Sequence, residues 1–180
     1  MPSSDGPTIG GVPDAPPVTV RLAEVADAEA IRTIYNREVL GSMVTFDLVP
    51  RTLEDQVHWL EARSGAHAVV VADDGAGEVC GFASLSPYRN RPAYSTTVED
   101  SVYVDPAQQG RGVGKLLLTE LVTVATAHGF HSIVARIVGG HEASIALHGA
   151  CGFDVVGTER EVGRKFGHWL DVVVMQRLLI

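Results

Sequence analysis

The chain of 180 residues has the length of one domain with a sizeable core, and a composition of 46% hydrophobic and 20% charged residues is ordinary for a globular protein. A formal charge of −8 argues against a nucleic-acid-binding surface, which needs clustered Lys and Arg. Apolar runs are too short to cross a bilayer, and residues 1–17 lack the basic start and apolar middle of a signal peptide. We expect a flexible tail over 1–17, a single domain over 18–180, and a cytoplasmic protein without nucleic-acid or membrane partners.

Hydrophobic periodicity predicts seven strands and four helices. Val18, Val20 and Leu22 alternate as a first strand, and Asp27 is predicted to cap the first helix. Thr52-x-x-Asp55 resembles a capping box that opens a second helix. In that helix Leu53, Val57 and Leu60 are predicted to face inward. Further strands are predicted over 66–72, 79–85, 96–104, 132–137, 153–159 and 170–178, and further helices over 113–128 and 143–150.

The cysteines and histidines do not indicate a redox or metal site. Cys80 lies in a predicted strand and Cys151 at a predicted helix end, so both are expected to be small buried hydrophobes. His141 and His148 are seven residues apart, about 10 Å along a helix, and are too distant to share one ion. We expect no metal.

The most informative segment is a glycine-rich loop between a predicted strand and an amphipathic helix. It reads Gln109-Gly110-Arg111-Gly112-Val113-Gly114. The apolar stripe of the helix comprises Val113, Leu116, Leu117, Leu121, Val124 and Ala125. A strand, a glycine-rich loop and a helix N-terminus together favour an anion, because free N–H groups converge there and the backbone can approach closely. The loop therefore predicts a phosphorylated ligand.

The sequence of this loop does not match two common phosphate-binding motifs. A P-loop requires Ser or Thr after its Gly-Lys pair, whereas Leu116 follows Lys115, and Gln109 stands where the first glycine belongs. A dinucleotide-binding fold spaces its third glycine one residue later and places a carboxylate at the end of the next strand, where 132–137 has none. A plain strand-to-helix turn stays open as an alternative.

The pattern of Gln109, Gly112 and Gly114 resembles the acetyl-CoA loop of the Gcn5-related N-acetyltransferases (GNAT). A second segment, Ser144-x-x-Leu147-His148 followed by Gly152-Phe153, resembles that family's second cofactor segment, although His141 replaces the usual Asn and His148 the usual Tyr. The resemblance implies an α/β GNAT fold, a twisted mixed sheet of about seven strands flanked by four helices, and acetyl-CoA as co-substrate. It implies cofactor contacts from Val102, Tyr103, Val104, Gln109, Gly110, Arg111, Gly112, Val113, Gly114, Lys115, His141, Ser144 and His148.

Within that family the chain resembles the phosphinothricin and methionine sulfoximine (or sulfone) N-acetyltransferases. The stretches that carry this resemblance are 34–36, 45–47, 88–94, 98–104 and 163–171. It implies acetylation of the α-amine of a small amino-acid-like acceptor by a homodimer. It also implies that Glu99 helps to deprotonate the amine, and that the acceptor is bound by Phe46, Arg89, Arg91, Tyr94, Thr97 and Glu99.

The chemistry of these residues is consistent with that role. An α-amine has a pKa of about 8, so it must lose a proton before it can attack a thioester, and Glu99 could accept that proton. A backbone N–H near Val102 or Tyr103 could stabilise the oxyanion of the tetrahedral intermediate. His148, or secondarily Tyr103, could protonate the departing thiolate. The amine is already a nucleophile, so neither cysteine needs a catalytic role.

Each assignment also has a purely structural interpretation. Glu99 could be a solvated strand end, Arg89 and Arg91 surface charges, Phe46 core packing and His148 a buried helix residue. Three other functions stay open: a peptide N-terminal acetyltransferase, a non-catalytic acyl-CoA sensor on the same fold, and a nicotinamide-dependent oxidoreductase.

Overall fold

In the computed structural model, residues 17–63 and 65–179 are described, so nearly all of the expected tail over 1–17 lies outside the described residues. The strands in chain order are β1 Thr19–Leu22, β2 Val69–Asp73, β3 Val79–Pro87, β4 Thr97–Val104, β5 Ser132–Val138, β6 Asp154–Lys165 and β7 His168–Leu178. The helices are α1 Ala28–Gly41, α2 Leu53–Glu61, α3 Val113–Ala127 and α4 Glu142–Ala150. This succession confirms the predicted order of elements.

The strands form one seven-stranded sheet in the order β1-β2-β3-β4-β5-β7-β6. Every neighbouring pair is antiparallel except β4 and β5, which are parallel. Their pairing covers only Thr97↔Ser132, Val98↔Ile133 and Glu99↔Val134, although β4 continues to Val104 and β5 to Val138. Beyond Glu99 the two strands separate, and this separation opens the sheet at its centre.

The helices cover the two faces of the sheet. On one face, α3 packs its buried side chains against a core that includes Val98 and Ile133. On the other face, α1 packs against a core that includes Phe82 and contacts Tyr103. Because side chains alternate along a strand, Val98, Asp100 and Val102 face α3 and α4, whereas Glu99 and Tyr103 face the α1 side.

The structure corrects two predicted inward positions. Leu116 is 44% exposed and Leu53 is 48% exposed. The buried stripe of α3 instead comprises Val113, Leu117, Leu118, Leu121, Val122 and Ala125, because the helix rests on β2, β3 and β4 along that line. In α2, the buried residues are Gln56 and Leu60, which are four apart and therefore share one side of the helix.

The predicted capping role of Asp27 is wrong, although the capping box of α2 is confirmed. Asp27 occupies the N-cap position of α1 without a side-chain capping bond. Its carboxylate instead accepts hydrogen bonds from the Arg21 guanidinium, at 2.7 and 2.8 Å, and from the Glu24 N–H. Thr52 and Asp55 exchange both bonds of a capping box, as the spacing predicts.

The final two strands are longer than predicted. They form a hairpin joined by Phe166 and Gly167, with φ angles of 48° and 81°, the geometry of a tight two-residue turn. The strand predicted over 66–72 begins only at Val69. Cys80 and Cys151 are both buried and free, as expected. Over the described ranges, none of the helices combines the length and the apolar character that a membrane span requires.

Candidate active site

A cleft of about 440 Å³ occupies the opening between β4 and β5. Its walls are 100–104 of β4, 135–138 of β5, the glycine-rich loop and the start of α4. All of the predicted cofactor residues line it except Arg111. Arg111 lies on a second groove beside β1, and its guanidinium bonds the Gln108 side chain. The structure therefore brings both predicted cofactor segments to one cavity.

The three glycines of the loop serve two different purposes. Gly110 and Gly112 have φ angles of +76° and +82°, and Gly112 is the left-handed N-cap of α3. A side chain is strained in that conformation. At Gly114 the constraint is packing, because a Cβ atom there would lie 3.1 Å from Cδ2 of Leu147 in α4. Two glycines thus shape the loop, and the third lets α3 approach α4.

Beyond Glu99, the backbone of β4 has no pairing with β5 on the side of the cleft. The Asp105 N–H donates to the Cys80 carbonyl of β3 at 2.9 Å. Because N–H directions alternate along a strand, the N–H groups of Val102 and Val104 point the other way, toward the space where β5 has separated. Val102 is one of the two positions at which the sequence predicts an oxyanion-stabilising N–H.

Glu99 lies at the apex of the opening between β4 and β5, in the last residue pair that joins the two strands and one residue before the first β4 residue that lines the cleft. Its side chain faces the α1 side of the sheet and is half-buried. Burial raises the pKa of Glu99 above its usual range; the charge of Asp100 adds to this effect, and those of Arg136 and Arg89 oppose it. A raised pKa makes the Glu99 carboxylate a stronger base than an exposed one.

His148 and Asp100 form a buried pair on the opposite side of β4. His148 Nε2 lies 3.0 Å from Asp100 Oδ2, and His148 Nδ1 lies 2.7 Å from the Ser144 carbonyl oxygen. A carbonyl oxygen only accepts, so Nδ1 carries a proton. Burial opposes charge on the ring, but Asp100 and the Ser144 carbonyl outweigh it, and the pKa of His148 is raised. The Asp100 carboxylate thus favours the imidazolium form of this ring at the cleft wall.

The other predicted proton donor, Tyr103, has a different environment. Its ring stacks on Phe82, with centroids 5.1 Å apart, and meets Tyr35 edge-on at 5.2 Å. Burial raises the pKa of Tyr103 well above its usual range. Tyr103 therefore holds its proton more tightly than a free phenol.

His141 begins α4. Its Nδ1 accepts a hydrogen bond from the Ser144 N–H at 3.2 Å, the capping contact that an Asn side chain makes in many helices. Both residues also line the cleft. His141, which replaces the family's usual Asn, thus still provides the N-cap hydrogen bond of α4.

Phe46 lies against the β6–β7 hairpin. A Cβ atom at Gly163 would lie only 2.2 Å from the Phe46 ring, so the ring occupies the space that the glycine leaves. The same loop is fixed by Lys165, whose buried Nζ donates to the Thr45 carbonyl at 2.8 Å. Phe46 remains 41% exposed, which is compatible with a wall of an acceptor site.

The predicted acceptor residues on the 88–96 loop are exposed and do not line the cleft. Arg89 and Arg91 are separated by a tight turn, in which the Arg91 N–H donates to the Arg89 carbonyl. The Arg89 guanidinium lies 5.0 Å from the Tyr88 ring centroid, and Tyr94 meets Tyr88 edge-on. This turn prevents the segment from being extended between the two arginines. Thr97 is half-buried at the start of β4, paired with Ser132.

Sequence reasoning missed three charged residues that line the cleft, Glu38, Asp100 and Arg136. Asp100 is adjacent to Glu99 but faces the opposite side of the sheet. Arg136 interrupts an otherwise apolar strand, and that interruption is the signal that could have identified it. Over residues 17–63 and 65–179, His, Cys, Asp and Glu side chains form no group of three that could hold a metal ion.

Comparison with known sequences identifies the family to which this geometry belongs. The profile of the acetyltransferase (GNAT) domain matches residues 20–174. The L-methionine sulfoximine/L-methionine sulfone acetyltransferase of Pseudomonas aeruginosa PAO1 is 41% identical over 159 residues, 88% of this chain and 92% of that protein. The phosphinothricin N-acetyltransferase of Streptomyces coelicolor is 41% identical over 171 residues, 93% of this chain and all of that protein.

Solved structures show the same fold. The phosphinothricin acetyltransferase of Sinorhizobium meliloti, in complex with acetyl-CoA, superposes with a TM-score of 0.86 at 42% identity, over 90% of this chain and 88% of that one. An N-acetyltransferase of Staphylococcus aureus Mu50 superposes with a TM-score of 0.88 at 34% identity, over 91% of this chain and 99% of that one.

Proposed function

Because this chain belongs to the GNAT family and is an N-acetyltransferase that uses acetyl-CoA, we propose that its acceptor is the α-amino group of a small amino acid. Phosphinothricin, methionine sulfoximine and methionine sulfone are the acceptors we propose, since relatives with about 41% identity carry these names. Acetylation would remove the free amine of such a compound, so the enzyme would confer resistance to it.

The observation that carries the proposal is the position of Glu99 at the apex of the opening between β4 and β5. The cofactor segments lie along the opening beyond it, so a thioester at the apex would meet an amine beside this carboxylate. The raised pKa of Glu99 brings its basicity closer to that of the ammonium it must deprotonate. The amine then attacks the thioester carbonyl, and the Val102 N–H is positioned to stabilise the oxyanion.

For the departing thiolate we propose His148 as the proton donor. It lines the cleft and carries a proton on Nδ1, and an imidazolium is a stronger acid than the phenol of Tyr103. Proton transfer requires the ring to release one of its two hydrogen bonds. The C–S bond breaks as the intermediate collapses, and the sulfur receives the proton.

The test is a thiol-release assay with acetyl-CoA and each of the three acceptors. We expect turnover with at least one of them, and a loss of at least tenfold in Glu99→Gln with unchanged affinity for CoA by calorimetry. Turnover of a peptide with no response to the amino acids would favour a peptide N-terminal acetyltransferase. No turnover of either, with intact CoA binding, would favour an acyl-CoA sensor.

We also propose that the chain forms a homodimer, as the family resemblance implies. Strand β6 lies at the end of the sheet and exposes Val155, Val156 and Val162, and Trp169 on β7 is 61% exposed. The free edge of β6 and these exposed apolar side chains favour pairing with another chain. Light scattering should give twice the chain mass, and Val156→Lys should reduce it; a monomeric mass for the parent chain would contradict this proposal.

A further inference from the structure

Arg136 projects into the cleft on the same side of the sheet as Glu99. Val134 is the parallel partner of Glu99, and Arg136 is two residues further along β5, so the two side chains share one face. The separation along the strand is about 6.6 Å. At Arg136, β4 has already separated from β5, and Arg136 lines the cavity.

The surroundings of Arg136 contain charges of both signs. Its guanidinium lies 2.6 Å from a carboxylate oxygen of Glu159 on β6, and the two side chains are 29% and 37% exposed. The charge of Arg136 opposes the rise in the pKa of Glu99, so the two groups are within electrostatic range. The Glu99 carboxylate and the Arg136 guanidinium thus lie on one face of the sheet, at the point where β4 and β5 separate.

We propose that Arg136 binds the α-carboxylate of the acceptor while Glu99 faces its α-amine. This inference rests on the proposed function. An amino acid carries its ammonium and carboxylate groups one carbon apart, and a guanidinium fork suits a carboxylate. In the free enzyme Glu159 holds the guanidinium in position, and the acceptor carboxylate shares or replaces that contact.

A role in binding the cofactor diphosphate does not fit the position of Arg136. The diphosphate loop follows the end of β4 at Val104, whereas the parallel register places Arg136 level with Ser101, three residues and about 10 Å of strand before that end. A purely structural role predicts little, since a partly exposed ion pair contributes about 0–1 kcal/mol to stability. Arg136 therefore acts on acceptor selection, in addition to any contact from Arg89 or Arg91.

The test compares methionine sulfone with the amine that lacks only its carboxylate, 3-(methylsulfonyl)propan-1-amine. In Arg136→Gln we expect the KM for methionine sulfone to rise at least tenfold, while the kcat/KM for the decarboxylated amine changes less than twofold. The KM for acetyl-CoA and the thermal unfolding midpoint should remain unchanged. Arg136→Lys, which keeps the charge, should restore part of the loss.

Three results would overturn the inference while leaving the proposed function intact. They are an unchanged KM for methionine sulfone in Arg136→Gln, an equal loss for both acceptors, and a rise in the KM for acetyl-CoA. A parent enzyme that acetylates none of the amino acids would overturn the proposed function, and the inference with it. The parent assay therefore separates the two failures.

Discussion

The imidazole of His148 on α4 lies 3.0 Å from the carboxylate of Asp100 on β4, and both side chains are almost fully buried. The contact joins residues 48 apart in sequence and ties the helix of the second cofactor segment to the strand that forms the opposite cleft wall. The second oxygen of Asp100 has no partner among the described residues. Among the described residues, His148 is therefore the hydrogen-bond partner on which the buried Asp100 side chain depends.

Removing one member of this pair should destabilise the protein strongly. In Asp100→Asn, the imidazolium loses its counter-charge but stays buried, and such losses cost about 3–5 kcal/mol. The free energy of unfolding in urea measures the effect. The matched control is Glu29→Gln, which breaks the exposed contact with Arg32 and should leave stability unchanged. An equally small effect in both variants would show that His148 is neutral in the folded protein.

The same pair should make stability depend on pH in one direction. The pKa of His148 in the folded protein is raised above its unfolded value of about 6.5. Protonation therefore stabilises the fold fully below that value, and the contribution is lost as pH rises through the raised pKa. Unfolding free energies measured on both sides of this range should show a decline in the parent chain that His148→Gln lacks. The same decline in both proteins would assign it to another group.

The pH profile of kcat/KM should have an acidic limb that is set by the ionisation of Glu99. Its carboxylate must be ionised to accept a proton, and burial raises its pKa, so kcat/KM should fall at a higher pH than the usual value of about 4.3 for Glu. The charge of Arg136 opposes this rise, so Arg136→Gln should move the limb to still higher pH. A limb at the ordinary value, unmoved by Arg136→Gln, would argue against Glu99 as the base.

The position of Phe46 can be tested from its neighbour. In Gly163→Ala the new methyl group would collide with the ring and displace it, so the KM for the acceptor should rise while the KM for acetyl-CoA stays constant. Gly157→Ala lies on the same strand in open space and is the matched control. Equal kinetics in the two variants would mean that Phe46 does not contact the acceptor.

The glycine-rich loop offers a test of the cofactor site. Gly112→Ala places a side chain at a φ of +82°, so the loop should shift and the KM for acetyl-CoA should rise several-fold. Gly77→Ala has similar strain, at a φ of +94°, in the β2–β3 turn. Both variants should lose about 1 kcal/mol of stability. Only Gly112→Ala should weaken cofactor binding. An equal rise in the KM for acetyl-CoA in both variants would show that the glycine-rich loop does not bind the cofactor.

Local patterns predicted the elements well because they depend on neighbours in sequence. The capping box at Thr52 and the glycine loop are local, and both are found where their spacing places them. Leu53 and Leu116 were predicted inward because periodicity gives the apolar side of a helix only approximately, whereas the partner surfaces decide which residues are covered. The sequence predicts that the sixth strand ends at residue 159, whereas β6 continues to Lys165. The turn that follows gives no sequence signal at its first position, because Phe166 is an unusual residue at a positive φ.

The candidate site was less predictable because it depends on contacts between distant segments. The separation of β4 from β5 exposes Arg136 to the cleft, and no pattern within either strand encodes how far their pairing extends. The Asp100–His148 contact joins two segments that are 48 residues apart in sequence. The family resemblance indicates Glu99, but its half-buried environment depends on the folded chain.

Alternate residues of strand β4 face opposite sides of the sheet, and the two sides carry different functional groups. Its odd-numbered residue Glu99 faces the α1 side, where we propose the amine binds, and its even-numbered residue Asp100 faces the other side and bonds His148 of α4. Deleting or inserting one residue here would exchange the two sides and abolish both tasks at once. Homologues can therefore diversify their acceptors by replacing side chains along this strand, but its length before the glycine loop is an invariant we expect in every active descendant.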